Sequence, residues 1–161
     1  MDLLKLRSSR LHAISPMELT GADRAALLAP EAVRWLPPGF QRLETDEDRA
    51  ALIEGLAKDA DIAVLADEAG LAVGLLILSF AVASPADRTH STRHLGYLFA
   101  PAAWGQGYAT EMLQALQSLF RGQEVMLSGG VMQENTASAR ALLKAGFTAG
   151  PVQDGGEVIY T

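Results

Sequence analysis

Apolar positions in this chain follow two periods, and the switches between them outline its elements. Leu11 to Ile14 is a short apolar run that predicts a first strand, closed by a turn at Pro16. Glu18 to Leu28, with Leu19 and Leu27-Leu28 inward, predicts a first helix. Arg34-Trp35-Leu36-Pro37-Pro38-Gly39 reads as a rigid loop, because two prolines bar a continuing helix. Thr45 with Asp48 three residues on predicts an N-cap and an acidic first turn. The helix it opens runs to about Lys58 and buries Leu52, Ile53 and Leu56. The acidic cluster Glu44 to Asp48 therefore complements a helix dipole rather than a metal.

The pattern then shortens to period two. Ile62 to Ala66, the turn Asp67-Glu68-Ala69-Gly70 and Leu71 to Phe80 predict a β-hairpin. Its second strand is apolar on both faces, which places it centrally in a sheet. Ser84 to Thr92 is polar and reads as a loop; His94 to Ala100 is the next strand. Ala109 to Arg121 is the strongest helical segment, with Met112, Leu113, Leu116, Leu119 and Phe120 on one face and Gly122 as its stop. Val125 to Val131 is a further strand. Asn135 caps a helix from Thr136 to Ala145, ended by Gly146. Thr148 to Val152 and Glu157 to Tyr160 pair around Asp154-Gly155-Gly156. Helices separate the strands on either side of Gly105-Gln106-Gly107, so those strands run parallel, whereas the hairpins are antiparallel. The sheet is mixed.

Composition narrows the function. The 161 residues predict one domain, 1–161, with 49% hydrophobic and 20% charged residues, as in ordinary soluble proteins. A net charge of −6 argues against nucleic acid as a partner and favours cationic ones, amines included. The chain has no cysteine, so thiolate zinc sites and a thioester on the enzyme are excluded. His12, His90 and His94 lack metal-ligand spacing, and no metal is expected. The longest apolar run, Leu71 to Ala83, falls short of the roughly 20 residues a membrane span needs. With no secretory signal at the start, a cytoplasmic protein without a membrane partner is expected.

The richest stretch is Gly96 to Leu113. A strand ends, two glycines flank Gln106, and an amphipathic helix follows at once. Free backbone N–H groups and the positive end of the helix dipole suit an anion such as a pyrophosphate. A dinucleotide fingerprint fails because Thr110 stands where its third glycine belongs and the unit lies late in the chain. A P-loop fails because no Lys-Ser or Lys-Thr occurs.

Trp104-Gly105-Gln106-Gly107-Tyr108-Ala109 resembles the acyl-CoA pyrophosphate loop of the GNAT superfamily of N-acetyltransferases, Gln/Arg-x-x-Gly-x-Gly/Ala. Trp104 replaces the leading Gln or Arg, a replacement shared by the ribosomal-protein N-terminal acetyltransferase branch. Gly96-Tyr97, Pro101, Trp104 and Gly107 to Glu111 match that branch, as does Asn135 to Phe147 with its N-x-x-S-x-R-x-x-x-K-x-G-F spacing. The resemblance covers Leu95 to Phe147 in motif and Arg10 to Phe80 in the order of elements. It implies an α/β fold of the α+β type: a mixed, mostly antiparallel sheet of about seven strands with a central, splayed parallel pair and about four helices.

The resemblance also implies acetyl-CoA as co-substrate and an N-acetyltransferase acting by direct attack in a ternary complex. Tyr97, Leu98 and Phe99 would offer a strand edge to the pantetheine arm. Trp104, Gly105, Gln106, Gly107, Tyr108, Ala109 and Thr110 would hold the pyrophosphate, and Asn135 would contact the cofactor or only cap its helix. The acceptor is a primary amine, on a small molecule or a protein N-terminus, and must lose a proton to attack. The tyrosine that many relatives use as acid is absent, since Leu142 occupies its position. Ser138 is the candidate donor to the departing thiolate, or else a hydroxyl bonding the helix terminus. His94 is the candidate base, or a surface residue; Glu134 and Glu68 are weaker candidates. Trp35 would line the acceptor entrance or pack in the core. A monomer or homodimer is expected. The missing tyrosine keeps open a catalytically silent CoA-binding sensor, and a purely structural domain is the third reading.

Overall fold

A computed structural model of the protein describes residues 2–80 and 91–161. Seven strands form its sheet: β1 (His12–Ile14), β2 (Ala60–Ala66), β3 (Ala72–Phe80), β4 (Ser91–Phe99), β5 (Val125–Met132), β6 (Ala149–Val152) and β7 (Glu157–Tyr160). Their order is β1-β2-β3-β4-β5-β7-β6. Among the described residues five α-helices accompany them: α1 (Gly21–Leu27), the single turn α2 (Pro30–Val33), α3 (Asp46–Asp59), α4 (Tyr108–Leu119) and α5 (Thr136–Lys144).

Local chemistry sets the connections. Asp67 closes the β2–β3 turn by accepting from the backbone N–H groups of Ala69 and Leu71, and Gly70 takes the left-handed conformation the turn needs. Thr45 and Asp48 form the expected capping box at the start of α3. The sheet separates two cores. Leu76, Leu78, Leu95, Phe99, Met112, Leu113, Leu116 and Leu142 pack on the α4–α5 side. Leu27, Val33, Phe40, Ile53, Leu75 and Leu98 pack on the α1–α3 side. Leu75 and Leu76 are both fully buried although they point to opposite faces, so β3 is central as its pattern predicts.

All neighbouring strands are antiparallel except β4 and β5. That parallel pair holds from Ser91↔Val125 to His94↔Ser128 and then parts. Beyond this point β5 turns to β7, pairing Gly129 with Tyr160 and Met132 with Glu157. The remainder of β4, Leu95 to Phe99, keeps its pairing with β3 but among the described residues has no strand on the other side.

Three expectations are corrected. The helix expected over Glu18 to Leu28 is split: Ser15 caps a 3-10 turn at Pro16–Glu18, and Thr20 with Asp23 starts α1 afresh. Two capping boxes in succession out-compete one continuous helix. Thr92, expected in a loop, belongs to β4, where it pairs with Met126; most of that expected loop, 84–90, lies outside the described residues. On α3 only Ile53 is fully buried; Leu52 and Leu56 are half-buried, and Leu56 borders a cleft.

Arg93 is buried on the sheet and ties three strands together. Its guanidinium donates to Asp61 on β2 at 2.6 Å and to the Leu78 carbonyl on β3 at 2.9 Å, and lies 4.1 Å from the centre of the Phe80 ring. Arg93→Met is expected to lower unfolding stability by about 2 kcal/mol, a figure reduced for the exposure of Asp61. Urea unfolding with an unchanged m-value checks this; a loss below about 0.5 kcal/mol would count against the clamp.

Candidate active site

The site is assembled where β4 and β5 part. On one rim lies the loop that joins β4 to α4. Gly105 (φ 74°) and Gly107 (φ 79°) are both left-handed, a conformation that L side chains rarely adopt. No side chain caps α4, so its first N–H groups face outward. A Cβ at Gly105 would meet nothing within 4 Å, and one at Gly107 would meet only the Arg10 guanidinium at 3.7 Å. The space above the two glycines is open to an approaching anion, and the dipole of a twelve-residue helix points into it.

This rim is braced from below. The Trp104 indole donates to the Phe99 carbonyl at 2.8 Å, fixing the loop to the end of β4 while its ring remains half-exposed. Tyr108 stacks on Phe99 at 6.3 Å, and the Arg10 guanidinium lies 4.6 Å from the Tyr108 ring centre. Glu111 accepts from Ser8 Oγ at 2.6 Å, from the Arg10 backbone N–H at 2.8 Å and from Arg10 Nε at 2.7 Å. Burial pushes the Glu111 carboxyl up, but these donors and the Arg10 charge outweigh it and hold it below the usual range. Its stabilising share is therefore complete above the ordinary carboxylate value near 4.5 and is lost as pH falls through the lower folded value. Glu111→Gln is expected to flatten the acid side of the stability profile between about pH 6 and 3. Thermal unfolding across that range checks it, and an unchanged profile would argue against the latch.

The cleft itself has a volume of about 530 Å³. It spans both faces of the sheet through the opening between β4 and β5. On the α4–α5 side it contains Tyr97, Asn135, Ser138 and Leu142. Asn135 Oδ1 accepts from the Ser138 backbone N–H at 3.3 Å, so the capping role is present. The Ser138 hydroxyl is bonded to the Tyr97 hydroxyl at 2.6 Å. Burial raises the Tyr97 phenol above its ordinary value, against a smaller opposing effect of the Ser138 bond. The phenol is thus protonated at neutral pH and has a proton to give.

On the α1–α3 side the cleft contains Trp35, His94 and Glu157. His94 is exposed and shares this face with Ser79, its partner on β3. Glu68 and Glu134 do not reach the cleft: Glu68 lies in the β2–β3 turn, beside a separate shallow pocket, and Glu134 is exposed before α5. Of the residues expected to hold cofactor, Leu98 turns its side chain into the α1–α3 core and the Phe99 carbonyl is bonded to Trp104. Their remaining offer is backbone along the free side of β4. Gln106 donates to the Ala102 carbonyl at 3.3 Å, within the loop. Thr110 is half-buried in the first turn of α4, beside Ala109.

The Tyr97 hydroxyl and Glu157 escape a reading of the sequence, which assigns Tyr97 only a strand edge. The Tyr97 hydroxyl was assigned no chemistry because its motif marks the strand, and Ser138 is far from it in the chain. Glu157 sits in the final hairpin, and only the β5–β7 pairing brings it to the cleft. Its carboxylate lies over Gly130, which pairs with Ile159, two residues further along β7.

A family model for the acetyltransferase (GNAT) domain matches residues 13–148. The chain belongs to the GNAT acetyltransferase family. Solved GNAT-fold structures agree over nearly the whole chain. A GNAT-family acetyltransferase from Bacillus anthracis shares 20% identity with a TM-score of 0.70, covering 96% of this chain and 94% of that one. RimL, a ribosomal alpha-N-protein acetyltransferase in complex with coenzyme A, shares 18% identity with a TM-score of 0.72, covering 99% and 96%. The aminoglycoside acetyltransferase AAC(6')-Ib, in complex with coenzyme A and kanamycin, shares 20% identity with a TM-score of 0.68, covering 93% and 91%. No curated protein matches the chain. These likenesses confirm the GNAT fold, with its mixed sheet and one parallel pair. Among the described residues no helix is long and apolar enough to cross a membrane, and no metal-holding group of acidic, histidine or cysteine side chains is gathered.

Proposed function

We propose that this GNAT acetyltransferase moves an acetyl group from acetyl-CoA to a primary amine by direct attack in a ternary complex. One observation carries the reading: a cleft lined from both faces of the sheet lies where β4 leaves β5, and the Tyr97–Ser138 hydroxyl pair stands at that opening. The residues fit the donor. Gly105 and Gly107 leave a cradle that a Cβ would partly fill, with helix N–H groups beneath it. Past His94 no described strand pairs with β4 on the side away from β3, and apart from the Phe99 carbonyl, which Trp104 holds, a peptide-like arm could bond there as an added strand.

The residues divide the proton work between the faces. His94 takes the ammonium proton on the α1–α3 side, which frees the amine lone pair. As the C–N bond forms and the C–S bond breaks, the Tyr97–Ser138 pair donates a proton to the departing thiolate, and the second proton shed by the newly acylated nitrogen restores the pair. No covalent enzyme intermediate is needed, consistent with the lack of cysteine. Thiol release from acetyl-CoA, measured with a panel of amines and N-terminal peptides, tests the proposal. Release with at least one acceptor is expected. Tight CoA binding with no release above background would identify a silent CoA-binding module instead.

A further inference from the structure

Building on that acetyl-transfer reading, we infer that the acceptor is a small monoamine with an apolar body, and that Glu157 holds its ammonium group. The α1–α3 side of the cleft is walled by Trp35, Leu36, Pro37, Phe40, Leu56 and Ile77. This aromatic and aliphatic surface suits an aryl or branched alkyl group. Two carboxylates, Asp59 and Glu157, lie on the lining, and among the described residues no lysine or arginine does. Arg34, which stacks on the Trp35 ring at 4.7 Å, is not part of that lining.

The two carboxylates are placed differently. Asp59 ends α3 and is exposed. Glu157 is half-buried on β7 and folds its carboxylate over Gly130 on β5, so closely that a Cβ on Gly130 would collide with it. Gly130 lies just past Ser128, the last residue of β5 to pair with β4. The Glu157 carboxylate therefore stands on the acceptor side of the opening, with the Tyr97–Ser138 pair on the other. A cation held there has one well-placed partner. A second or third ammonium would be stripped of water against the apolar wall without compensation, which disfavours polyamines. An uncharged or acidic body gains nothing from Glu157. An apolar body gains from the wall, which in a pocket of this kind is worth about 10- to 200-fold per well-fitted group.

Steady-state thiol release with 2-phenylethylamine, ethanolamine and kanamycin tests this in the wild type and in Glu157→Gln, Gly130→Ala and Trp35→Ala. In the wild type, kcat/KM for phenylethylamine is expected to exceed that for ethanolamine and for kanamycin by about 30-fold. Glu157→Gln should raise the amine KM by about 30-fold and leave the acetyl-CoA KM unchanged. Gly130→Ala, which displaces the same carboxylate without removing it, should raise the amine KM about 10-fold. Trp35→Ala should erase most of the preference over ethanolamine. Calorimetric titration of the three amines into the protein–CoA complex gives the same ranking without turnover. Kanamycin or ethanolamine matching phenylethylamine, or Glu157→Gln leaving the amine KM and affinity unchanged, overturns the inference while acetyl transfer stands. Absence of turnover with the ranking intact in the CoA complex overturns acetyl transfer and leaves the amine site standing. Absence of both turnover and amine binding overturns both.

Discussion

Tyr97→Phe is expected to lower kcat about 100-fold while the KM for acetyl-CoA changes by less than about 3-fold. The ring survives the substitution and keeps its edge contact with Phe99 at 6.4 Å, so the cleft retains its shape. What is lost is the phenolic proton and the 2.6 Å bond to Ser138. A buried hydrogen bond of this kind contributes about 1 kcal/mol to stability, so the variant should fold. Ser138→Ala should match it in kcat, because alanine suits the first turn of α5 and removes only the hydroxyl. If the two hydroxyls act as one donor, the double variant should be little worse than either single one. The pH profile adds a sign. The phenol works while protonated, and burial raises it above the ordinary tyrosine value of 10.0, so its alkaline limb should lie above that value. An unchanged kcat in both single variants would show that the thiolate leaves without help from this pair.

Gly107→Val should raise the KM for acetyl-CoA, and the calorimetric dissociation constant of CoA, by about 100-fold. Two effects combine. At φ 79° a β-branched residue is strained by about 1–2 kcal/mol, which tilts the first turn of α4 and its N–H groups. The branched side chain also enters the space above the loop, where only Arg10 now borders. Gly105→Ala separates the two, because its φ of 74° imposes strain while a Cβ there meets nothing within 4 Å. It should weaken CoA about 10-fold or less. A Gly107→Val protein that binds CoA within about 3-fold of wild type would mean that the cradle is not where the pyrophosphate sits.

Much of the fold was legible because its signals are local. Asn135, Thr45 with Asp48, and the turn from Asp67 to Gly70 each declare an element boundary within a few residues, and each does so in the structure. The misread segment, Glu18 to Leu28, also failed locally: Ser15 with Glu18 and Thr20 with Asp23 are both capping boxes, and the apolar spacing hid the second. Helix α3 was read as more buried than it is, because periodicity marks which residues share a face and not whether that face meets a core or a cleft. Trp104 was visible as an odd member of the glycine loop, but its bond to the Phe99 carbonyl depends on how the loop folds back on its own strand.

By itself, the sequence determined the order of elements, the mixed sheet, the glycine loop at the head of α4 and the family to which that loop points. The elements rest on period and spacing over short stretches, which local backbone and capping preferences convert directly into structure, and the family on the resemblance of the glycine loop and the Asn135 to Phe147 segment to its motifs. The tertiary structure alone decided which side chains meet. Tyr97 and Ser138 are joined across the gap between β4 and α5, and Glu157 reaches the cleft because β7 pairs with β5 and Gly130 leaves it room. Such contacts are set by strand register and by the point at which a parallel pair parts, and no local pattern encodes either.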